Sequence, residues 1–181
     1  PRNPTWHSLG EGLEGTVWVV HATASGKVYA GGEFNGGFAQ WTGTTWDRPA
    51  LMDGDVRAIA DVGSEVYIGG TFTTIGLTKL PGIARYTGQT FQPLGPGLND
   101  RVNAVTVAPD GSIFAGGFFT GSGDYDVEAK TGVALPYIAR WNGASWEDVG
   151  GGLDGFVRDF AWWGDDIIVV EQSGSKTMFR R

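Results

Sequence analysis

The stretch "KVYAGGEF", Lys27 to Phe34, occurs three times in variant form: again as "EVYIGGTF" from Glu65 to Phe72 and as "SIFAGGFF" from Ser112 to Phe119. Alternating apolar residues mark a strand with one buried face. That strand then runs into two glycines, which pack nothing and cost backbone entropy, before reaching an aromatic. Glycine inside a strand belongs where another backbone comes close or the chain bends. A device used three times is architecture before it is chemistry.

Working outward, each copy sits inside a longer repeat. The units start at Val17, Val56, Val102 and Val157, and lie 14, 13, 14 and 13 residues before Gly31, Gly69, Gly116 and Val170. So constant a spacing predicts paired strands in fixed register. The first strand of each unit reads "VWVVHAT", "VRAIADV", "VNAVTVA" or "VRDFAWW". It is followed by a two-residue turn at Ser25-Gly26, Gly63-Ser64, Asp110-Gly111 or Gly164-Asp165, which is hairpin chemistry. The double-glycine strand is second. A third strand holds Trp41, Tyr86 and Trp141, and a fourth opens with Trp46, Phe91 and Trp146.

Four short antiparallel strands with apolar residues on both faces cannot hide them alone, so such sheets must stack on copies of themselves. The expected fold class is therefore all-β: a β-propeller of four-stranded antiparallel blades in a single domain over residues 1–181. The units lie near 17–49, 56–94, 102–149 and 157–181. The phrase "TWHSLGEGL" (Thr5 to Leu13) matches "TFQPLGPGL" (Thr90 to Leu98), so residues 5–9 are expected to supply the strand that completes the last blade and closes a four-bladed ring. The competing arrangement is an excerpt of a larger propeller of about 6 to 8 blades. Trp6 is expected to join the packing tryptophans.

These residues carry a family resemblance. A double glycine after an apolar strand, followed by two spaced aromatics, resembles the kelch-type propeller repeat. The phrase "IARWNGASWEDVGGGL" (Ile138 to Leu153) is similar to repeats of bacterial secreted propellers and of fungal cortical polarity-marker proteins. The aromatics are closer together than in kelch repeats proper, and the fourth unit has Val170-Glu171 in place of the glycines. The resemblance implies an extracellular or cell-surface location and a habit of binding rather than catalysis.

Composition narrows the function. The formal net charge is −7 and the 13 Lys and Arg form no basic run, so nucleic acid is not an expected partner. No apolar run approaches the roughly 18 residues that span a bilayer, and no membrane insertion is expected. A start at Pro1 rather than Met is what removal of a signal peptide or other upstream sequence would leave. Cysteine is absent and the two histidines, His7 and His21, are far apart in the repeat, so no nucleophile has a matched base. A glycan-active hydrolase is the least favoured class.

Candidate binding residues come from the irregular parts. Connections between second and third strands lengthen along the chain, with four residues between Phe34 and Ala39, eleven between Phe72 and Ala84, and nineteen between Phe119 and Ala139. All are expected at one end of the blades, where ligands are met. The longest holds Asp124, Tyr125, Asp126 and Glu128. Asp124, Asp126 and Glu128 have the alternation of a calcium loop, although the sharp-turn glycine and distal bidentate carboxylate of such a loop are not evident. No other cofactor is expected.

Three residues before each starting valine stand Glu14, Asp53, Asn99 and Asp154, either a polar collar at a channel mouth or turn residues satisfying nearby backbone. Trp18 and the pair Trp162-Trp163 fall outside the repeat pattern and are candidates for stacking on a sugar ring. The expected function is a non-catalytic module that binds a protein or a glycan. The alternative is a structural or assembly subunit of a cell envelope or virion.

Overall fold

A computed structural model describes residues 5–181, and within them the chain is all-β, with no helix long and apolar enough to cross a membrane. The first sheet consists of β1 (Gly15–Ala22), β2 (Val28–Phe34), β3 (Phe38–Trp41) and β4 (Trp46–Asp47). The second begins with β5 (Val56–Val62) and β6 (Glu65–Gly70). A two-stranded ladder of β7 (Thr74–Ile75) and β8 (Thr78–Lys79) then interrupts the chain, and β9 (Ile83–Tyr86) and β10 (Phe91–Pro93) complete the sheet. The third comprises β11 (Val102–Val107), β12 (Ile113–Gly117), β13 (Ile138–Trp141) and β14 (Trp146–Asp148). The last has three strands: β15 (Phe156–Trp163), β16 (Asp166–Ser173) and β17 (Lys176–Arg180). All pairings are antiparallel between neighbours, and the first hairpin turns use glycines of positive φ such as Gly26 (84°) and Gly63 (62°), which is what tight hairpins demand.

The sheets succeed one another through their first strands: β1 packs beside β5, β5 beside β11, and β11 beside β15. Three apolar layers fill the spaces between them. Tyr29, Phe38, Val56 and Ile59 lie between the first and second sheets; Tyr67, Leu98, Val102 and Phe119 lie between the second and third; Ile138, Val157 and Val169 lie between the third and fourth. Each buried Val or Phe contributes about 1.5–3 kcal/mol, and each of the three layers is shared by two sheets.

The double glycine performs two separate tasks. A Cβ on the first glycine would collide with the starting valine of the next sheet: Gly31 with Val56, Gly69 with Val102 and Gly116 with Val157, at 2.4–2.6 Å from Cγ1. A Cβ on the second would strike backbone within the same sheet, as Gly32 would strike the Thr16 carbonyl at 2.1 Å. The first glycine is thus a hole for a neighbouring knob, and the second lets the paired strand bulge. In the last sheet the corresponding register positions are Val170 and Glu171, paired with Asp159 and Val157. No valine of a following sheet packs on Val170 among the described residues, and the fully buried Glu171 is paired with Arg180, whose Nε lies 3.0 Å from Oε2.

Two expectations are corrected. Residues 5–9 do not complete the last sheet: β17 pairs with β16 alone among the described residues, and the N-terminal segment sits on the first sheet instead. There Trp46 Nε1 donates to the Leu9 carbonyl (3.1 Å), just as Trp146 Nε1 donates to the Leu94 carbonyl (2.9 Å) in the third sheet. The matching phrases therefore do matching work, each covering the Trp pair of a sheet, and no seam forms. Trp6 is fully exposed and packs in no layer. Phe72 and Phe119 are buried as filler between sheets, whereas Phe34 is only half-buried at the end where the long connections emerge.

Candidate functional site: an arginine and aromatic pocket between the four first strands

Every first strand slips register one residue after its starting valine. The breaks fall between Val17 and Val19, Val56 and Ala58, Val102 and Ala104, and Val157 and Asp159. A bulge inserts an unpaired residue and re-aims its side chain. The four bulged residues are Trp18, Arg57, Asn103 and Arg158, one from each sheet, and all four line one cavity of about 300 Å³ with Arg101, Phe118 and Phe156. It lies at the loop-bearing end, since Arg101 precedes β11, Phe118 follows β12, and Phe156 opens β15.

Three guanidinium groups therefore meet three aromatic rings. Arg57 lies 5.2 Å from the Trp18 ring centre, Arg101 lies 4.0 Å from Phe118, and Arg158 lies 5.2 Å from Phe156. Phe118 and Phe156 stack on each other at 3.9 Å. Cation–π contact of this kind strengthens with desolvation. Arg57 also pairs with Asp55 (2.6 Å), which is nearly buried and accepts a hydrogen bond from Thr71 Oγ1. Asn103 Nδ2 donates to the Val157 carbonyl (2.6 Å), and Arg158 Nε donates to Gln172 (2.9 Å). Arg57 and Arg101 each keep a buried ε nitrogen without an acceptor. Burial, followed by the like charge of Arg57, lowers the proton affinity of Arg101 below its ordinary value against the pull of Asp55 and Asp100.

The sequence-predicted residues fare unevenly. Trp18 is in the pocket and half-exposed. The four collar positions do not converge on one mouth. Glu14 and Asp53 line an adjoining, wider cavity of about 730 Å³ together with Glu33, Asp55 and Arg57. Asn99 lies in another cavity, and Asp154 is engaged by Arg180 (2.8 Å).

Two of the collar residues act as clamps. Asp53 Oδ1 accepts from the Thr73 and Thr74 amides (2.7 and 2.8 Å), and Asn99 Oδ1 accepts from the Thr120 and Gly121 amides (2.9 and 3.1 Å). Each ties down the start of the connection that follows its own hairpin. Burial alone would raise the Asp53 carboxyl, but the hydrogen bonds from Thr73 and Thr74 overcome it and hold the group at about 2.

The acidic loop does not form a calcium cage. Asp126 Oδ1 accepts from the Glu128 and Ala129 amides (both 2.8 Å), Asp124 accepts from Ser122 Oγ (2.6 Å), and Glu128 is exposed. No three His, Asp or Glu side chains converge as a metal would require among the described residues. Tyr125 lies over Gly121, where a Cβ would sit 2.4 Å from its ring. Trp162 is held inside by Thr106 (2.9 Å) and an edge contact with Phe114, whereas Trp163 is exposed with Arg181 over its ring at 5.1 Å.

Sequence reasoning missed Arg57, Arg101, Asn103, Arg158, Phe118 and Phe156. One signal was available: the column immediately after the starting valines holds Trp18, Arg57, Asn103 and Arg158, all large or polar where strand alternation alone assigns nothing in common.

No protein-family model matches the chain, and no curated protein matches its sequence. Among solved structures, the chain is similar to the extracellular domain of a protein described as a hybrid two component system of B. thetaiotaomicron, at 13% identity and a TM-score of 0.41. The match covers 91% of this chain and 27% of that one, so the chain spans about a quarter of the length of that extracellular-domain chain. A likeness this slight carries no argument about fold or function.

Proposed function

We propose that the chain is a non-catalytic binding module built on kelch-like β-propeller blades, extracellular or displayed at a cell surface, that takes a protein or glycan at its loop-bearing end. The observation that carries this reading is the convergence of one bulged residue from each of four sheets on a single pocket beside the longest connection. Stacked sheets that aim side chains at a common axis are the working arrangement of a propeller. Pockets lined by aromatic rings with a few convergent polar groups are where ligands bind. Neither histidine lines the pocket, which favours binding over acid–base chemistry.

Glycan-array and pull-down measurements test it, comparing the chain with a variant lacking Gly121 to Ala134. Binding that is lost with the loop supports the reading. Binding untouched by the deletion and by substitution of Trp18 would refute it.

A second reading, an assembly subunit, is favoured by one observation. Val17 is the counterpart of the buried knobs Val56, Val102 and Val157, yet it is 40% exposed, and Val20 beside it is 64% exposed. Concentration-dependent association in the ultracentrifuge, abolished by Val17→Lys, would move the function to that face.

A further inference from the structure

The pocket between the four first strands concentrates positive charge in a chain of net charge −7. Arg57, Arg101 and Arg158 come from three different sheets to one cavity of about 300 Å³, and among the described residues only Asp55 pairs with any of them at ion-pair distance. Asp100 acts on Arg101 through its field alone. Holding three guanidinium groups together works against their mutual repulsion, and the ε nitrogens of Arg57 and Arg101 are buried without acceptors. A structural role explains this arrangement poorly. Arg57 is balanced by Asp55, but among the described residues Arg101 and Arg158 have no carboxylate partner within 4 Å; the partly buried Arg101 is held against Phe118 with Asp55 and Asp100 acting on it only through their fields, and the exposed Arg158 lies over Phe156.

We infer that this pocket binds a small ligand through one carboxylate, received by the arginine forks, with an apolar face of the ligand against Trp18 and the Phe118–Phe156 pair. The inference rests on reading the chain as a binding module and assigns the chemistry its pocket recognises. Guanidinium matches a planar carboxylate with two parallel hydrogen bonds, and the aromatic lining matches a ligand body rather than a bare ion. The wider cavity beside it works against a polyanion, because Glu14, Glu33 and Asp53 line it and would repel a second and third negative charge. A volume of about 300 Å³ is at the small end of the range for small-molecule sites. An acidic sugar and an aromatic carboxylate are the two sources of this chemistry.

Calorimetric titration of the whole chain with glucuronate, with N-acetylphenylalaninate, with the uncharged methyl ester of the latter and with sulfate tests the inference. At least one carboxylate is expected to bind at millimolar concentration or tighter, and whichever does so names the source. The ester is expected not to bind. Arg101→Gln and Arg57→Lys should each weaken binding about tenfold, the scale of one charge-assisted hydrogen bond. Should Arg101→Gln fail to fold, the indole NMR signal of Trp18, assigned with Trp18→Phe, reports the same event in the unmodified chain. It should move on adding carboxylate while that of Trp146 stays.

Ester or sulfate binding as well as the carboxylates, a shift at Trp146 instead of Trp18, or no binding by either carboxylate would overturn the inference. Loop-dependent binding on the glycan array without any carboxylate effect would sink this assignment and leave the module reading standing. Carboxylate binding with no macromolecular target would do the reverse.

Discussion

Val56 stands where a side chain at Gly31 would be: a Cβ built on Gly31 lies 2.6 Å from Val56 Cγ1, closer than any real contact allows. The same knob and hole recur at Val102 with Gly69 and at Val157 with Gly116, so the spacing between sheets is set by the absence of one methyl group, three times over.

Gly69→Ala should therefore push the second and third sheets apart. Its Cβ would meet Val102 Cγ1 at 2.5 Å and Val105 Cγ2 at 2.9 Å, and overpacking of this kind costs about 1–3 kcal/mol. Adding Val102→Ala removes the clashing methyl. Urea unfolding of both single variants and the double variant should show the pair to be less damaging than the sum of its parts by about 1 kcal/mol or more. Simple additivity would refute the knob-and-hole account.

Trp146 and Trp46 offer a graded comparison. Both rings tilt against a partner Trp at nearly the same angle, 56° and 55°, and both donate to a leucine carbonyl. Trp146 is buried whereas Trp46 is only partly so. Replacing Trp146 with Phe removes one of two donors to the Leu94 carbonyl, which keeps the Gly97 amide (3.1 Å), and the lost hydrogen bond should cost about 0.5–1.5 kcal/mol. Trp46→Phe should cost less, because water reaches Leu9. Equal losses in thermal unfolding would show that the indole hydrogen bond is not what distinguishes the two.

Asp53 makes stability depend on pH in a stated direction. Its carboxyl is held at about 2, below the ordinary 3.8, so its contribution is complete above about pH 5 and is lost as the pH falls through the range from about 4 to 2. The group is largely solvated, so the contribution is about 1 kcal/mol after screening. The stability difference between the chain and Asp53→Asn should shrink as the pH is lowered through that range. A difference that is flat or grows on acidification would rule out the clamp.

Asn99 holds the start of the longest connection through the Thr120 and Gly121 amides and donates from Nδ2 to Thr120 Oγ1 (3.3 Å). Asn99→Ala should loosen that connection without unfolding the sheets. Limited proteolysis should then cut between Thr120 and Ala134 several-fold faster while the melting temperature changes little. Unchanged cleavage would mean that the bridges between Gly121 and Ala134 and between Asp126 and Thr131 hold the loop by themselves.

Much of the local structure was legible in the chain itself. The alternation around "VYAGG" and the Gly-containing two-residue turns dictated four-stranded antiparallel meanders, because hairpin register follows from turn length and pleat. The recurrence of Trp41 with Trp46 and of Trp141 with Trp146 marked the outer strands for the same reason. The matching of "TWHSLGEGL" to "TFQPLGPGL" was also visible, but its partner was not. Nothing local states whether Leu9 meets the tryptophans of the first sheet or an edge of the last, since a backbone carbonyl accepts equally well from either.

The pocket was decided by tertiary structure alone. Trp18, Arg57, Asn103 and Arg158 lie 39, 46 and 55 residues apart in succession, and each reaches the shared cavity because a bulge turns it out of the strand's alternation. Alternation predicts two faces for a residue, and a bulge creates a third direction that depends on where the neighbouring sheet sits. Arg101, Phe118 and Phe156 are brought in by the same stacking, which the sequence requires in kind, through sheets unable to bury their own faces, but does not specify in outcome.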